Sequence, residues 1–427
     1  MKFLKRLHGK VLRSLKRRIA LFRIPYYERR YSHRVRRLAR TMLKQPGYRI
    51  RVLFLVNNNT KWNAHSVFTA MQESTQFDPY IFVCREPQNQ LEAKTRNGYA
   101  DDIAFFEERN IPFIHGYDAA SGKDISPLRF KPDIVFYIQP WGTIKGITDI
   151  HTLSRKVLTC YIPYAMQVAD YEPHKNTPFM NYVWRFMVPS HLNAELLQAT
   201  MDNRGRNCRV AGYPKLDEYR RIRTNNALEF FPAGSETKPR IIYAPHHSFD
   251  RATFATFDWN GHELLKFAEE HPDTAWVFKP HPRLKYELVQ HGIMTMAEAD
   301  EYYDAWRSIP NASVYEQGNY FGLFVESTLM ITDCISFLGE YLPSGNPVIL
   351  PVNPRSVGYN ELGTIITDSY YKAHTLKELT DLIGSVAIDG QDPKKTERQR
   401  AAEHFLFPQT AAEKILHIVT SEISLSY

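Results

Sequence analysis

Ile50-Arg-Val-Leu-Phe-Leu-Val56 is a short apolar run of β-branched and aromatic residues, the pattern of a buried strand. Strand-like runs follow at 80–84, 112–114, 133–138, 157–161 and 183–188, with helical patterns between them, as over 64–72 and 101–109. Strands alternating with helices predict a parallel, doubly wound sheet. Pro232-Ala-Gly-Ser-Glu-Thr-Lys-Pro239 then reads as a linker. A second series starts at once with Arg240-Ile-Ile-Tyr-Ala244 and continues at 275–279, 312–315, 329–332 and 347–350. Helices are expected there over 261–270, 298–308, 337–342 and 376–383, and the stretch 394–422 reads as mostly helical with a break at Pro408. The expected organisation is α/β: an arm over 1–46, two Rossmann-like domains over 47–231 and 240–407 facing a cleft, and a closing helix over 408–427. Ligands of open α/β sheets bind outside the carboxyl ends of the strands, so the turns after those strands hold the candidate chemistry.

The 427 residues are 43% hydrophobic and 23% charged, which excludes a disordered or fibrous chain. Cys84, Cys160, Cys208 and Cys334 lie far apart, without a C-x-x-C pair, and predict neither a disulfide framework nor a zinc ribbon. The net charge of +8 is unevenly placed. Residues 1–44 hold sixteen Lys or Arg against the single acid Glu28, so the rest of the chain carries −7. An acidic body argues against a nucleic-acid enzyme, which spreads positive charge over its working face. Within the arm, Leu4, Leu7, Val11, Leu15, Ile19 and Phe22 recur at helical spacing, and Pro25 is expected to interrupt the helix. A basic helix with an apolar stripe suits an anionic membrane surface. The expectation is a peripheral protein at the cytoplasmic face of the inner (plasma) membrane, tethered through residues 1–44.

Three segments of the second series follow predicted strands. They are Tyr243-Ala-Pro-His-His-Ser-Phe249, Phe278-Lys-Pro-His-Pro-Arg283, and the stretch from Glu326 to Tyr341 (ESTLMITDCISFLGEY). Lys279 supplies a point charge and Arg283 a planar fork for phosphate. The turn carrying Thr332, Asp333 and Ser336 opens a helix, whose first amides suit an anion, and Ser327, just before its strand, is a further candidate nucleotide or phosphate contact. Glu340, one turn on, suits ribose hydroxyls. His281, His246 and His247 are the candidates for proton transfer, since imidazole titrates near neutral pH. The two prolines around His281 fit neither helix nor strand, whereas His246-His247 at a strand end is also compatible with a structural role. In the first series Asn57-Asn58-Asn59, with Trp62 and His65, forms a loop that either faces a ligand or is an Asn-rich turn under a packed Trp. No metal-ligand cluster or D-x-D pair is evident, and no cofactor is required.

The order A-P-H-H-S, F-K-P-H-P, then I-T-D-C-x-S-F-L-x-E-Y-L-P-x-G-x-P-V, preceded by Gly212-Tyr-Pro-Lys-Leu-Asp217, resembles the CDP-glycerol glycerophosphotransferase family over about residues 130–385. That resemblance implies a GT-B fold, a CDP-linked donor in the second domain and an acceptor held by the first, where the loop with Asn58, Asn59, Trp62 and His65 is the candidate acceptor contact. It implies catalysis or pyrophosphate contact at His281, phosphate binding at Thr332, Asp333 and Ser336, and an acid near the nucleotide at Glu340. The family's W-H-G element has no histidine counterpart in Tyr161-Ile-Pro-Tyr-Ala-Met-Gln167, which leaves the base to His246, His247 or His174. The expected function is transfer of a polyol-phosphate unit from the CDP-activated donor to a polysaccharide or lipid-linked acceptor in teichoic-acid or capsule synthesis. The alternatives are a GT-B glycosyltransferase using a nucleotide sugar and a non-catalytic membrane- or RNA-binding protein.

Overall fold

The computed structural model describes residues 2–86, 98–171, 175–222, 229–250, 253–316 and 320–425, with side chains from residue 21 onward; His174 lies outside these. The chain divides into two compact units. Unit 1 comprises Met1–Tyr164, Glu172–Lys215 and Phe407–Tyr427; unit 2 comprises Ala165–Tyr171 and Leu216–Leu406. The final helix, Ala411–Ser424, belongs to unit 1, where Ala412, Ile415, Val419 and Ile423 are buried in the core.

In unit 1 the strands are β1 (Ile50–Val56), β2 (Phe77–Val83), β3 (Phe113–His115), β4 (Tyr117–Asp118), β5 (Lys123–Asp124), β6 (Ile134–Tyr137), β7 (Leu158–Tyr161), β8 (Arg185–Val188) and β9 (Cys208–Val210). Seven of them form one parallel sheet in the order β3-β2-β1-β6-β7-β8-β9, and β4 and β5 form a small antiparallel pair. Unit 2 has β10 (Arg240–Ala244), β11 (Ala275–Phe278), β12 (Ala312–Val314), β13 (Leu329–Thr332), β14 (Val348–Pro351) and β15 (Tyr371–Ala373), in the order β12-β11-β10-β13-β14-β15. These are two Rossmann-like α/β units, as the strand–helix alternation predicts. In each, the order reverses once, between β1 and β6 in unit 1 and between β10 and β13 in unit 2. A crevice opens at such a switch point because the connections from the two strands leave in opposite directions.

The amino-terminal segment departs from expectation. A single helix, α1, runs from Lys2 to Lys44 straight through Pro25. Proline removes one hydrogen bond at that point, and the docking of the following turns on unit 1 offsets the loss. Ile24, Tyr27, Tyr31, Val35, Leu38 and Ala39 recur every three or four residues and are buried in the core of unit 1. Tyr31 donates its hydroxyl to the Tyr182 carbonyl (2.7 Å) and meets Thr159 Oγ1 (2.6 Å), and the Tyr27 hydroxyl meets His151 Nδ1 (3.0 Å). Arg30 and Arg34 donate to the carbonyls of Arg155 and Lys156 at the start of β7. Residues 24–39 are therefore an element of unit 1, and the stretch expected as an arm is docked on that unit over this part. Among the described residues no helix is long and apolar enough to cross a membrane.

Candidate functional site

The switch point of unit 2 brings the three motif turns together. β10 ends at Ala244 and passes into Pro245-His246-His247, β11 ends at Phe278 and passes into Lys279-Pro280-His281, and β13 ends at Thr332 beside Asp333. His247 and His281 stack with ring centroids 3.8 Å apart, and His246 lies 4.4 Å from His247 and 5.5 Å from His281. Asp333 holds this arrangement. Its Oδ1 accepts from the His246 amide (2.6 Å), and its Oδ2 accepts from the amide (2.7 Å) and hydroxyl (2.6 Å) of Thr256. Thr332 ties the same two strand ends through a 2.6 Å bond from its hydroxyl to the Ala244 carbonyl. Asp333 and Thr332 thus position the histidine turn.

Hydrogen bonding separates the three imidazoles. His281 Nδ1 accepts from the Arg283 amide (3.1 Å). His246 Nδ1 accepts from the Ser248 amide (3.3 Å) and meets its hydroxyl (2.8 Å). With Nδ1 accepting, each neutral ring carries its proton on Nε2 and presents an N–H donor. His247 Nδ1 is buried and has no hydrogen-bond partner among the described residues, so His247 is the ring whose tautomer is free to change. Burial is the main force on all three pKa values, followed by the positive neighbours. It lowers His246 to about 3 and pushes His247 and His281 well below the usual histidine range. The cluster is neutral at pH 7, and an anion placed against it would raise its proton affinity.

Lys279 is buried, with its ammonium 5.1 Å from the ring centre of Tyr315 and 5.3 Å from that of Tyr320. Tyr320 donates its hydroxyl to the Glu340 carboxylate, and Tyr219 donates to the Glu340 carbonyl (2.8 Å). Glu340 is fully buried, so the acid read as a ribose contact already holds an internal partner. Arg283 pairs with Glu287, four residues on in the helix that it precedes. Ser336 stands half-buried in the first turn of the seven-residue helix Ile335–Tyr341. Ser327 is not brought to the site. It precedes β13, at the amino end of the strand, where its hydroxyl donates to the Phe324 carbonyl (2.9 Å) and meets the Tyr341 hydroxyl (2.8 Å).

In unit 1, Asn58 caps a short turn by accepting from the amide (3.1 Å) and hydroxyl (2.7 Å) of Thr60, and the Asn59 amide donates to Asp102 (2.6 Å). Trp62 packs edge-on against Phe54 and Phe106, with centroids 5.9 and 5.8 Å away, and His65 opens the helix α2 (His65–Glu73). Asn58 and Trp62 therefore serve the packing of this loop. Sequence reading missed Thr256, Ser248, Tyr315 and Tyr320. Ser248 lies inside the quoted A-P-H-H-S motif, whereas the other three carry no local signal. Among the described residues no group of three or more His, Cys, Asp or Glu is arranged to hold a metal ion.

No family model matches the sequence, and no curated protein matches it. Solved structures do. A candidate UDP-N-acetylglucosamine 2-epimerase from Listeria monocytogenes superposes with a TM-score of 0.59 at 13% identity, over 89% of this chain and 98% of its own. The UDP-GlcNAc 2-epimerase of Neisseria meningitidis bound to UDP-GlcNAc gives 0.56 at 13%, over 88% and 100%. That of Methanocaldococcus jannaschii, in complex with UDP-GlcNAc and UDP, gives 0.54 at 15%, over 88% and 100%. The likeness is one of fold. This chain shares the two-domain, GT-B-type architecture of these enzymes.

The comparisons overturn the expected CDP-glycerol glycerophosphotransferase. The solved structures named above are UDP-GlcNAc 2-epimerases, two of them in complex with UDP-GlcNAc, and none is a protein that takes a CDP-linked donor or transfers glycerophosphate to a polysaccharide or lipid-linked acceptor in teichoic-acid or capsule synthesis. The physical reason lies in what the motifs encode. A-P-H-H-S, F-K-P-H-P and T-D-x-x-S sit where strand ends hold one another, and they specify neither the base of the nucleotide nor the transferred group.

Acid should destabilise the protein through this cluster. A histidine held at about 3 when folded and near 6.5 when unfolded contributes stability that is complete above pH 6.5 and is lost as pH falls toward 3. For His246 the loss reaches about 2 kcal/mol by pH 5. Asp333, raised to about 6 by burial, acts oppositely, since protonation on acidification relieves its cost. Three histidines outweigh one carboxyl. Urea midpoints should fall between pH 7 and pH 5, and His247→Gln should flatten that dependence; an unchanged slope in the variant would contradict the assignment.

Proposed function

We propose that the chain is an enzyme acting on a UDP-sugar, with UDP-GlcNAc the first candidate, and that unit 2 holds the diphosphate at its β10/β13 switch point. The observation that carries this reading is the stacked imidazole cluster at the carboxyl ends of β10 and β11, beside buried Lys279. His281 and His246 direct Nε2–H donors, and Lys279 adds positive charge, toward an anion seated there. His247, with a free ring nitrogen, takes the proton. Bound diphosphate raises its proton affinity at the moment that substrate arrives, so the base is tuned by the ligand it serves.

The fold neighbours support 2-epimerisation as the reaction. Inversion at C2 requires the C2–H electron pair to form a C1=C2 bond as the C1–O bond to UDP breaks; UDP then re-forms the C1–O bond while C2 takes a proton from solvent on the opposite face. Incubation with UDP-GlcNAc in deuterium oxide is expected to place deuterium at C2 of the sugar, read by NMR. UDP at a concentration of 100 times its Kd is expected to stabilise the protein by about 2.7 kcal/mol. CDP and CMP should do markedly less. Stabilisation by CDP equal to that by UDP would refute the choice of nucleotide, and absence of C2 exchange would refute the reaction.

A further inference from the structure

Unit 1 has a cavity of about 390 Å³ that the proposed reaction does not use. Its walls are the Tyr27–Arg36 stretch of α1, the segments 181–185 and 203–207, and Glu422 of the final helix, all within unit 1. The segments 181–185 and 203–207 lead into β8 and β9, so the cavity lies at the amino ends of these strands. The turns that suit a substrate follow the carboxyl ends, on the opposite edge of the sheet. Tyr31, Val35 and Trp184 are buried and give the cavity an apolar, aromatic side. The side-chain amides of Asn181, Asn203 and Asn207 also line it, but they are spent on neighbouring side chains and backbone.

The charges decide what fits. Glu28 pairs with Arg206 (2.9 Å), and Glu422 pairs with both Arg185 and Arg209. Arg36 lines the cavity as well; its Nε donates to the Ser32 carbonyl (3.2 Å), and it pairs with no acid among the described residues. Four arginines thus stand against two carboxylates, an excess of two positive charges. Both carboxylates are engaged, so the capacity left for a guest is that of donors: the terminal N–H groups of Arg36 and those of Arg206 that Glu28 does not take. Guanidinium forks match phosphate oxygens. A phosphomonoester carries about −1.5 to −2 at pH 7 and balances the excess, whereas one carboxylate leaves half of it. Sites for small organic molecules span about 300–1,000 Å³, so this cavity has room for an organic body beside the phosphate, against the apolar side.

We propose that this cavity is an effector site for a small phosphomonoester of about the size of a sugar phosphate, with Arg36 and Arg206 on the phosphate. The site does not rest on the UDP-sugar reading. A guest there touches α1 and the final helix together, so it braces both ends of the chain against the starts of β8 and β9. Hydrogen exchange and calorimetry on the full chain test this, with glucose 6-phosphate and phenyl phosphate as probes, glucose as the uncharged control and inorganic phosphate as the bare ion. A phosphomonoester should slow exchange at 27–36 and 203–207 and leave 244–248 unchanged, and glucose should do neither. Arg36→Gln and Arg206→Gln, both at exposed positions, should each weaken binding about tenfold or more, the value of a hydrogen bond to a charged group. Absence of protection at 27–36 and 203–207 with both phosphomonoesters would overturn the proposal, whatever the variants do. Unchanged affinity in both variants would also overturn it. Equal affinity for inorganic phosphate would reduce the cavity to an adventitious ion only. Protection confined to 244–248 would assign the phosphate to unit 2 instead.

Discussion

His247→Ala should lower kcat by about 10²–10⁴-fold, with UDP affinity little changed. The expectation follows from the tautomers. His246 and His281 both spend Nδ1 on backbone amides, which fixes the remaining nitrogen of each neutral ring as a donor. A donor holds an anion and takes up no proton. His247 alone of the three keeps Nδ1 unpartnered among the described residues. Loss of a base lowers kcat and kcat/KM together, whereas loss of a phosphate contact raises KM first. His281→Ala is accordingly expected to weaken UDP binding before it slows turnover. Calorimetric titration with UDP and steady-state rates on UDP-GlcNAc read the two effects separately. The reverse pattern, with binding lost in His247→Ala and turnover lost in His281→Ala, would exchange the roles. Equal, small effects in both would remove the cluster from catalysis.

Deletion of residues 1–44 should abolish soluble, folded protein, while deletion of 1–20 should leave unit 1 intact. Five of the buried α1 residues, Ile24, Tyr27, Tyr31, Val35 and Leu38, are large. Each contributes about 1.5–3 kcal/mol by burial, so their sum is comparable to the roughly 5–15 kcal/mol that hold a typical domain. Removal also strands the Tyr182 carbonyl and Thr159 hydroxyl, which Tyr31 now satisfies. Circular dichroism and gel filtration of the two truncations decide the matter. A cooperative, monodisperse protein lacking 1–44 would show that α1 is dispensable.

The reach of the sequence differs from element to element. Ile50–Val56 and Arg240–Ala244 are legible because a strand buried on both faces must be continuously apolar. Cys208–Val210 and Tyr371–Ala373 escape because each is three residues long, and Cys-Arg-Val and Tyr-Lys-Ala carry no apolar run. The inward face of α1 escapes for another reason. Tyr27 and Tyr31 are flanked by arginines, and only the tertiary structure shows that their hydroxyls are buried and bonded. At the site, the three histidines are legible because each follows a strand of one sheet. The bond between the His246 amide and Asp333, 87 residues away, is not. Ser327 was misplaced because the motif from Glu326 to Tyr341 spans a whole strand, and its two ends lie on opposite edges of the sheet.

The return of the Ala411–Ser424 helix to unit 1 sets an order on how the protein is born. Its apolar face fills the same core as α2, and Glu422 closes it with ion pairs to Arg185 and Arg209. On the ribosome, all of Leu216–Leu406 must be synthesised between the bulk of unit 1 and the helix that completes it. At about 5–20 residues per second, that delay is roughly 10–40 s. Throughout it, the surface awaiting Ile415, Val419 and Ile423 stays open, and at its end unit 2 is complete while unit 1 still lacks its last helix. The second unit of the sequence is thus the first able to finish, and nascent unit 1 is a natural client for a holding chaperone.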